Sequence, residues 1–416
     1  LSLRGYIITR ALLAIPMILI LVTVVFIIMR VMPGDPVRVM LRPGAPQEYV
    51  DEIRHSLGLD KPLFINLRGS SAVVTQSGVT LRDGPSAEEP EIPLDSPLAE
   101  GDVLQLTDRR TTEEGEWLRL YTADGADGWA PIEWFSIRIN PLDSQYIDYV
   151  SALARLDFGE SITPVTGRPV ITDLKAKFPK TLELSIAGMT IAIIIGVAGG
   201  AFSAHKRGSP ADYGIRLYGI IIYAIPVFWL GLMLQLFFGI YLGWLPVQGM
   251  IGTGLTPEPI TGMLIVDSIL RVQPASLLSA LKHLTLPSIT LGLYISGVFI
   301  RLTRANMLQM LRQDFVTAAR ARGIKERVVV YQYALKNAFI PILTMMGLQF
   351  AVLLSGAVLT ETTFNWEGMG RFLVRRIELR DYPSIQSTIV FFALLVTAVS
   401  LIVDIVYARL DPRIRY

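Results

Sequence analysis

Six apolar runs punctuate the chain, each long enough as a helix to cross a hydrocarbon core of about 30 Å. They are Ala11–Met29, Leu184–Ala204, Leu217–Leu242, Leu286–Ile300, Ile340–Leu359 and Ile385–Tyr407. The fourth reaches full length if its helix continues through Arg301 and Arg304, whose long side chains then extend to the interface. Pro16 and Pro226 predict kinks within single spans, and Gly196-x-x-x-Gly200 predicts close helix approach in the second. The first run lacks a small-residue cleavage site near Met32-Pro33-Gly34, so it is expected to remain as a span.

Between the first two runs the helical period disappears. Short alternating stretches at Val73-Val-Thr75, Val103-Leu-Gln-Leu106 and Trp117-Leu-Arg-Leu-Tyr121, parted by Gly, Pro and Asp, predict a small β-domain. Trp117, Trp129 and Trp134 are candidates for its core, with two of the three expected inside, because so small a barrel needs large apolar side chains.

Composition agrees with a membrane protein: 51% of residues are hydrophobic and mean hydropathy is +0.47. A net charge of only +2 argues against nucleic acid as a partner. The absence of cysteine excludes disulfides, thiolate metal sites and a cysteine nucleophile. Lysine and arginine placement sets the orientation. Arg4 and Arg10 precede the first run, Lys206, Arg207 and Arg216 follow the second, and Arg409, Arg413 and Arg415 close the chain. Between the fourth and fifth runs, Arg301, Arg304, Arg312, Arg320, Arg322, Lys325, Arg327 and Lys336 face only Asp314 and Glu326. With six spans these segments share the cytosolic side, both termini included, and residues 31–181 lie outside. Residues 360–384 oppose the trend, with four arginines on the outer side.

The segment Asp314-Phe-Val-Thr-Ala-Ala-Arg-Ala-Arg-Gly-Ile-Lys-Glu-Arg327 reads as a docking element between two spans. Ala318 and Ala319 are expected to leave one helical face bare, Gly323 to permit a sharp turn, and the arginines to offer charge to a partner. With Asn337-Ala338-x-x-Pro341, this pattern resembles the EAA loop of ABC-transporter importer permeases of the dipeptide, oligopeptide and nickel branch. Thr317 stands where most members carry Glu, and Lys336 where many carry Pro. Further segments look like the same family: Pro33-Gly-Asp-Pro36, Arg168-Pro-Val170, Thr360-Glu-Thr-Thr-Phe-Asn-Trp-Glu-Gly-Met-Gly370, Arg380-Asp-Tyr-Pro383 and Asp404-x-x-Tyr-x-x-Leu-Asp-Pro-Arg413. The β-segment, with Val79–Ser86, Gly115–Leu120 and Gly128–Phe135, resembles a bacterial SH3-like barrel inserted into the permease loop.

The resemblance implies an all-α polytopic membrane protein, with six transmembrane helices of the type I ABC importer permease fold and a small all-β SH3-like insert. Its expected divisions are 1–65 (first helix and start of the loop), 66–143 (insert) and 144–416 (permease core), with the coupling loop at 306–340. Thr317, Ala318, Ala319, Arg320, Arg322, Gly323 and Lys325 would form the ATPase-coupling site. Glu361, Trp366, Gly368 and Gly370 would form an outer gate or a simple turn, the glycines allowing irregular backbone. The implied partners are a related second permease, two ABC ATPase subunits, an extracytoplasmic solute-binding protein and the lipid bilayer. A di- or oligopeptide is the expected solute, with nickel or another small solute still open.

Catalytic constellations are missing from the sequence. No Gly-x-x-x-x-Gly-Lys-Ser/Thr loop occurs to cradle phosphates, so ATP and magnesium are expected on partner subunits, with no cofactor in this chain. His55, His205 and His283 are far apart and read as ordinary loop or interface residues. Asp404, near the end of the last run, is expected to pair structurally with Arg409. A reading of another class also stands, a membrane-anchored cell-wall binding or sensing protein acting through its β-domain.

Overall fold

The computed structural model describes residues 3–31, 58–66, 71–94, 96–122, 124–163, 167–354 and 357–410, with 37, 46, 47, 50, 54 and 69 besides. The Pro33–Pro36 motif, His55, Arg413 and Arg415 lie outside the described residues. The chain divides into two compact units, one of residues 1–30 and 158–416, the other of residues 31–157.

The second unit holds a five-stranded antiparallel sheet of order β4-β3-β2-β1-β5. Its strands are β1 (Ser71–Val74), β2 (Val103–Thr112), β3 (Gly115–Tyr121), β4 (Asp127–Pro131) and β5 (Phe135–Arg138). Strand β2 runs well past the expected Leu106. The register shifts between Leu106 and Asp108, and beyond that bulge the strand is a charged ribbon paired with β3, which hydrophobic alternation cannot reveal. Trp117 and Trp129 are buried, and Trp134 packs partly buried against the core of Leu81, Leu104, Leu118 and Leu120. The two ends of the β-region meet where Asn66 N–H donates to the Pro141 carbonyl at 3.2 Å. Helix α2 (Gln145–Ala154) continues the join, with the Gln145 and Tyr146 amides donating to Pro62 and Leu63. Lys61 Nζ, 2.8 Å from both Asp143 and Asp148, closes it.

The first unit is helical. It contains α1 (Leu3–Val31), α3 (Val170–His205), α4 (Pro210–Ala224), α5 (Val227–Tyr241), α6 (Leu264–Leu270) and α7 (Pro274–Met310). There follow α8 (Asp314–Ala321), α9 (Glu326–Leu354), α10 (Val358–Thr363), α11 (Met369–Glu378) and α12 (Tyr382–Leu410). Among the described residues, α1, α3, α7, α9 and α12 are long and apolar enough to cross a membrane. The third expected span is not one kinked helix: α4 and α5 meet at 102°. Ile225 is extended and Pro226 lacks an N–H, so the helical ladder stops there and restarts in a new direction. The fourth run is the middle of a 37-residue helix, α7. Both of its arginines make contacts within the subunit. Arg304 forms a two-pronged pair with buried Asp212 at 2.8 and 2.9 Å, and Arg301 lies 4.7 Å over the Tyr223 ring.

Helices α3 and α7 pack along a glycine stripe. A Cβ on Gly196 would lie 2.3 Å from Phe299 Cβ, and one on Gly200 would lie 2.6 Å from Thr303 Cβ and 2.8 Å from the Ile300 carbonyl oxygen. Backbone cannot yield as a side-chain tip can, so Gly200→Val is expected to cost about 3 kcal/mol, the upper end of ordinary overpacking. Gly214, whose Cβ would meet nothing within 4 Å, supplies the control: Gly214→Ala should melt with the parent in detergent. Equal melting of the Gly200 variant would refute the contact. At the other end of the sequence, Asp404 pairs with Arg10 of α1 at 3.4 Å, across two helices; the Arg409 side chain, the partner the sequence suggested, lies outside the described residues.

Candidate functional site

Helix α8 carries the expected coupling residues. Its start follows Gln313 in extended conformation, and its end is a complete left-handed cap. Gly323 has φ +74°. Its N–H donates to the Arg320 carbonyl at 2.9 Å, and the Ile324 N–H donates to the Ala319 carbonyl at 3.3 Å. This is the double bond pattern of a Schellman turn, and Ile324 folds back on Val316, Ala319 and Val329 as that turn requires. Thr317, Ala318, Arg320, Arg322, Gly323 and Lys325 are exposed. Ala319 is not part of the bare face, since it is buried with Val316 against Val329. Adjacent helical residues point about 100° apart, so Ala318 and Ala319 cannot share one surface. The charge of Arg320 is also already engaged, in a two-pronged pair with Glu326 at 2.7 and 3.0 Å. The side chains the loop presents outward include Thr317, Ala318, Arg322 and Lys325, together with Phe315, an exposed aromatic side chain that sequence reasoning missed.

Behind α8, the first turns of α9 adopt a π-helix at Val329–Ala334. Its buried Val330 and Ala334, with Ala338, pack on Ala201, Ala204 and Met307. The start of α9 therefore rests on α3 and α7, largely through small side chains. Asn337 Nδ2 donates to the Tyr333 carbonyl at 2.8 Å, a side-chain bond one turn back along the helix.

The second group, Glu361, Trp366, Gly368 and Gly370, is sealed inside the subunit instead of lining an open mouth. Glu361 and Trp366 are buried. Thr181 Oγ1 donates to Glu361 Oε1 at 2.7 Å, the Arg371 N–H donates to Oε2 at 3.0 Å, and Trp366 Nε1 donates to the Lys180 carbonyl at 2.9 Å. The glycines serve close approach, not irregular backbone: a Cβ on Gly368 would lie 2.3 Å from Glu361 Oε1, and one on Gly370 2.8 Å from Val358 Cα. These residues position α10 and α11 against α3.

Burial pushes the Glu361 carboxyl from an ordinary 4.5 up to about 7, outweighing the hydrogen bonds from Thr181, Arg371 and Gly370 that favour the anion. Glu361 lies in α10, outside the helices long enough to span. Because the folded state holds this proton more tightly than the unfolded chain, its contribution is full below about pH 4.5 and disappears as pH rises through about 7. The parent should therefore melt at progressively lower temperature between about pH 5 and pH 8, and Glu361→Gln should flatten that part of the slope. A parallel slope in both proteins would exclude Glu361 as its source.

Sequence reasoning also missed a buried charge cluster that pins α11 and α12. Arg376 Nη2 lies 2.8 Å from Asp173, and its Nη1 lies 3.1 Å from Asp381, which also accepts from Ser161 and Ser384. Arg168 holds the other Asp173 oxygen at 2.7 Å. Further along α3, Glu183 accepts the Leu264 and Ile265 amides at 3.1 and 2.6 Å, capping α6. Only Glu183, a charge directly before an apolar run, carried a signal in the sequence. Elsewhere His283 Nδ1 contacts the Ser279 carbonyl, and the His205 ring packs on Tyr331.

Residues 196–416 match the model of the binding-protein-dependent transport system inner membrane component, and residues 3–76 match its N-terminal companion. The di/tripeptide transport system permease protein DppB of Pseudomonas aeruginosa is 45% identical over 276 residues, covering 66% of this chain and 82% of its own. The glutathione transport system permease protein GsiC of Escherichia coli is 31% identical over 412 residues, covering 99% of both. A solved inward-facing MetNI methionine ABC transporter aligns with 58% of this chain and 97% of its own, at 13% identity and a TM-score of 0.45. The apolar helices and the matched residues together make this chain a member of the binding-protein-dependent transport system inner membrane component family, a multi-pass membrane permease.

Proposed function

We propose that the chain forms half of the translocation pathway of an ATP-driven importer of short peptides. The observation carrying this reading is the 45% identity to a di/tripeptide permease, and the glutathione permease, whose cargo is itself a tripeptide, supports the same solute class. A related second permease completes the pathway, two ATPase subunits bind and hydrolyse ATP with magnesium, and a solute-binding protein delivers peptide from outside. The exposed part of α8, with Phe315, Thr317, Ala318 and Arg322, is the surface offered to an ATPase. Closure of the ATPases would move α8 and, through the small-residue packing beneath it, α3 and α7. The β-unit is an SH3-like accessory module on the outer side.

Affinity purification in mild detergent tests the assembly, and uptake of labelled dipeptide by the reconstituted complex tests the solute. Co-purifying ATPases with peptide uptake that depends on ATP are expected. A chain recovered without ATPases would favour the anchored wall-binding reading. Orientation is tested separately, because the parent has no cysteine. With a membrane-impermeant thiol reagent on intact cells, Glu88→Cys should be labelled and Arg207→Cys should not, both positions being exposed. The reverse pattern would invert the topology.

A further inference from the structure

Arg371, Arg375, Arg376 and Arg380 sit on the side that lysine and arginine counting assigns to the outside, against the general rule. Arg376 is accounted for, sunk between Asp173 and Asp381. Arg371 and Arg375 are different. With Arg168, Lys177 and Arg376 they line a cavity of about 330 Å³ between α3 and α11, with Gly368 at the start of α11 also in its wall. The carboxylates lining it are Asp173 and Glu367, and both are engaged. Asp173 is held by Arg168 and Arg376, and Glu367 by Lys177 at 2.9 Å and Lys180 at 3.4 Å. Lys177, by hydrogen bond and charge, holds the Glu367 carboxyl down at about 2, so it is ionised and paired at any working pH.

Arg375 has no ion-pair partner among the described residues, and Arg371 reaches only the Asn365 carbonyl, at 3.4 Å. Spaced i,i+4 on α11, the two guanidinium groups repel each other unless an anion lies between them. Five cations facing two committed carboxylates leave the cavity short of negative charge. Its volume suits one small group, and the planar guanidinium fork suits an oxygen pair.

We infer that this cavity is an oxyanion site, in which Arg371 and Arg375 bind a carboxylate or phosphate group presented from outside. Its placement rests on the topology proposed above. Two sources share that chemistry: the terminal carboxylate of a peptide solute and the phosphate of an anionic phospholipid.

The test compares the whole transporter carrying Arg371→Gln/Arg375→Gln with the parent and with Arg380→Gln, an exposed arginine of the same segment outside the cavity. One arm measures, by native mass spectrometry, phosphatidylglycerol retained from nanodiscs of phosphatidylcholine and phosphatidylglycerol. The other measures uptake of a dipeptide against its C-terminal amide. A tenfold loss of retained phosphatidylglycerol in the double variant alone identifies a lipid phosphate. A tenfold narrowing of the preference for dipeptide over amide, in the double variant alone, identifies the solute carboxylate. The parent's values in both arms, or equal losses in Arg380→Gln, overturn the site. If the parent takes up no peptide, the peptide reading fails while the lipid arm still judges the cavity. Should the double variant not assemble with its ATPases, the exposed single Arg375→Gln takes its place in both arms, and the same outcomes support or overturn the site.

Discussion

Asp212→Ala is expected to lower the folding stability of the purified subunit by about 3 kcal/mol, the low end of the loss when one partner of a buried ion pair is removed. The low end applies because the Arg304 side chain keeps 20% of its exposure while that of Asp212 keeps 2%. Asp212 does more than pair with Arg304. It accepts from Ser203 Oγ at 2.6 Å and from the Gly208 N–H at 3.0 Å, so one carboxylate ties the end of α3, the turn after it, the start of α4 and the C-terminal part of α7. Removing it leaves a largely buried guanidinium without its carboxylate and two donors unanswered. Asp212→Ala combined with Arg304→Met should recover much of the loss, since no stranded charge remains. A double variant as unstable as the single would show that the loss comes from the Ser203 and Gly208 contacts and not from the ion pair.

This clip shows why some of the structure was legible in the sequence and some was not. Apolar runs report where a helix meets lipid, so most spans were legible. They are blind to where a helix changes direction, and the 102° turn between α4 and α5 lies inside one unbroken run. They are equally blind to polar extensions: α3 begins at Val170, with Lys175, Lys177 and Lys180 before its apolar part. The turn at Gly323 was legible because a Schellman cap is local and demands a residue tolerant of positive φ. The inward turn of Ala319 could have been read from helical period, once Val316 is placed three residues before it on the same face. The Arg376 cluster was not accessible in this way, since Asp173 and Arg376 are 203 positions apart and each alone resembles a surface charge. Glu361 lies 180 positions from its Thr181 donor, and for the same reason its burial could not be anticipated.

Gly323→Val is expected to reduce solute-stimulated ATP hydrolysis at least tenfold while leaving membrane insertion unchanged. A Cβ there would meet nothing within 4 Å, so space is not the constraint. The backbone is: at φ +74° an L residue carries a penalty of about 1–2 kcal/mol, and β-branching raises it. The chain would relieve that strain by abandoning the Schellman turn, freeing Ile324 from Val316 and Ala319 and letting α8 tilt on its support. Asn tolerates the left-handed region, so Gly323→Asn should retain most of the stimulation. Two glutamates locate the contact surface. Ala319→Glu would bury a charge beneath α8 and should act like Gly323→Val. Ala318→Glu, on the exposed side, should leave the helix seated and instead weaken recovery of the ATPases. If Val and Asn at Gly323 behave alike, the turn does not transmit the motion. If Ala318→Glu retains its ATPases in full, the docking face of α8 lies elsewhere.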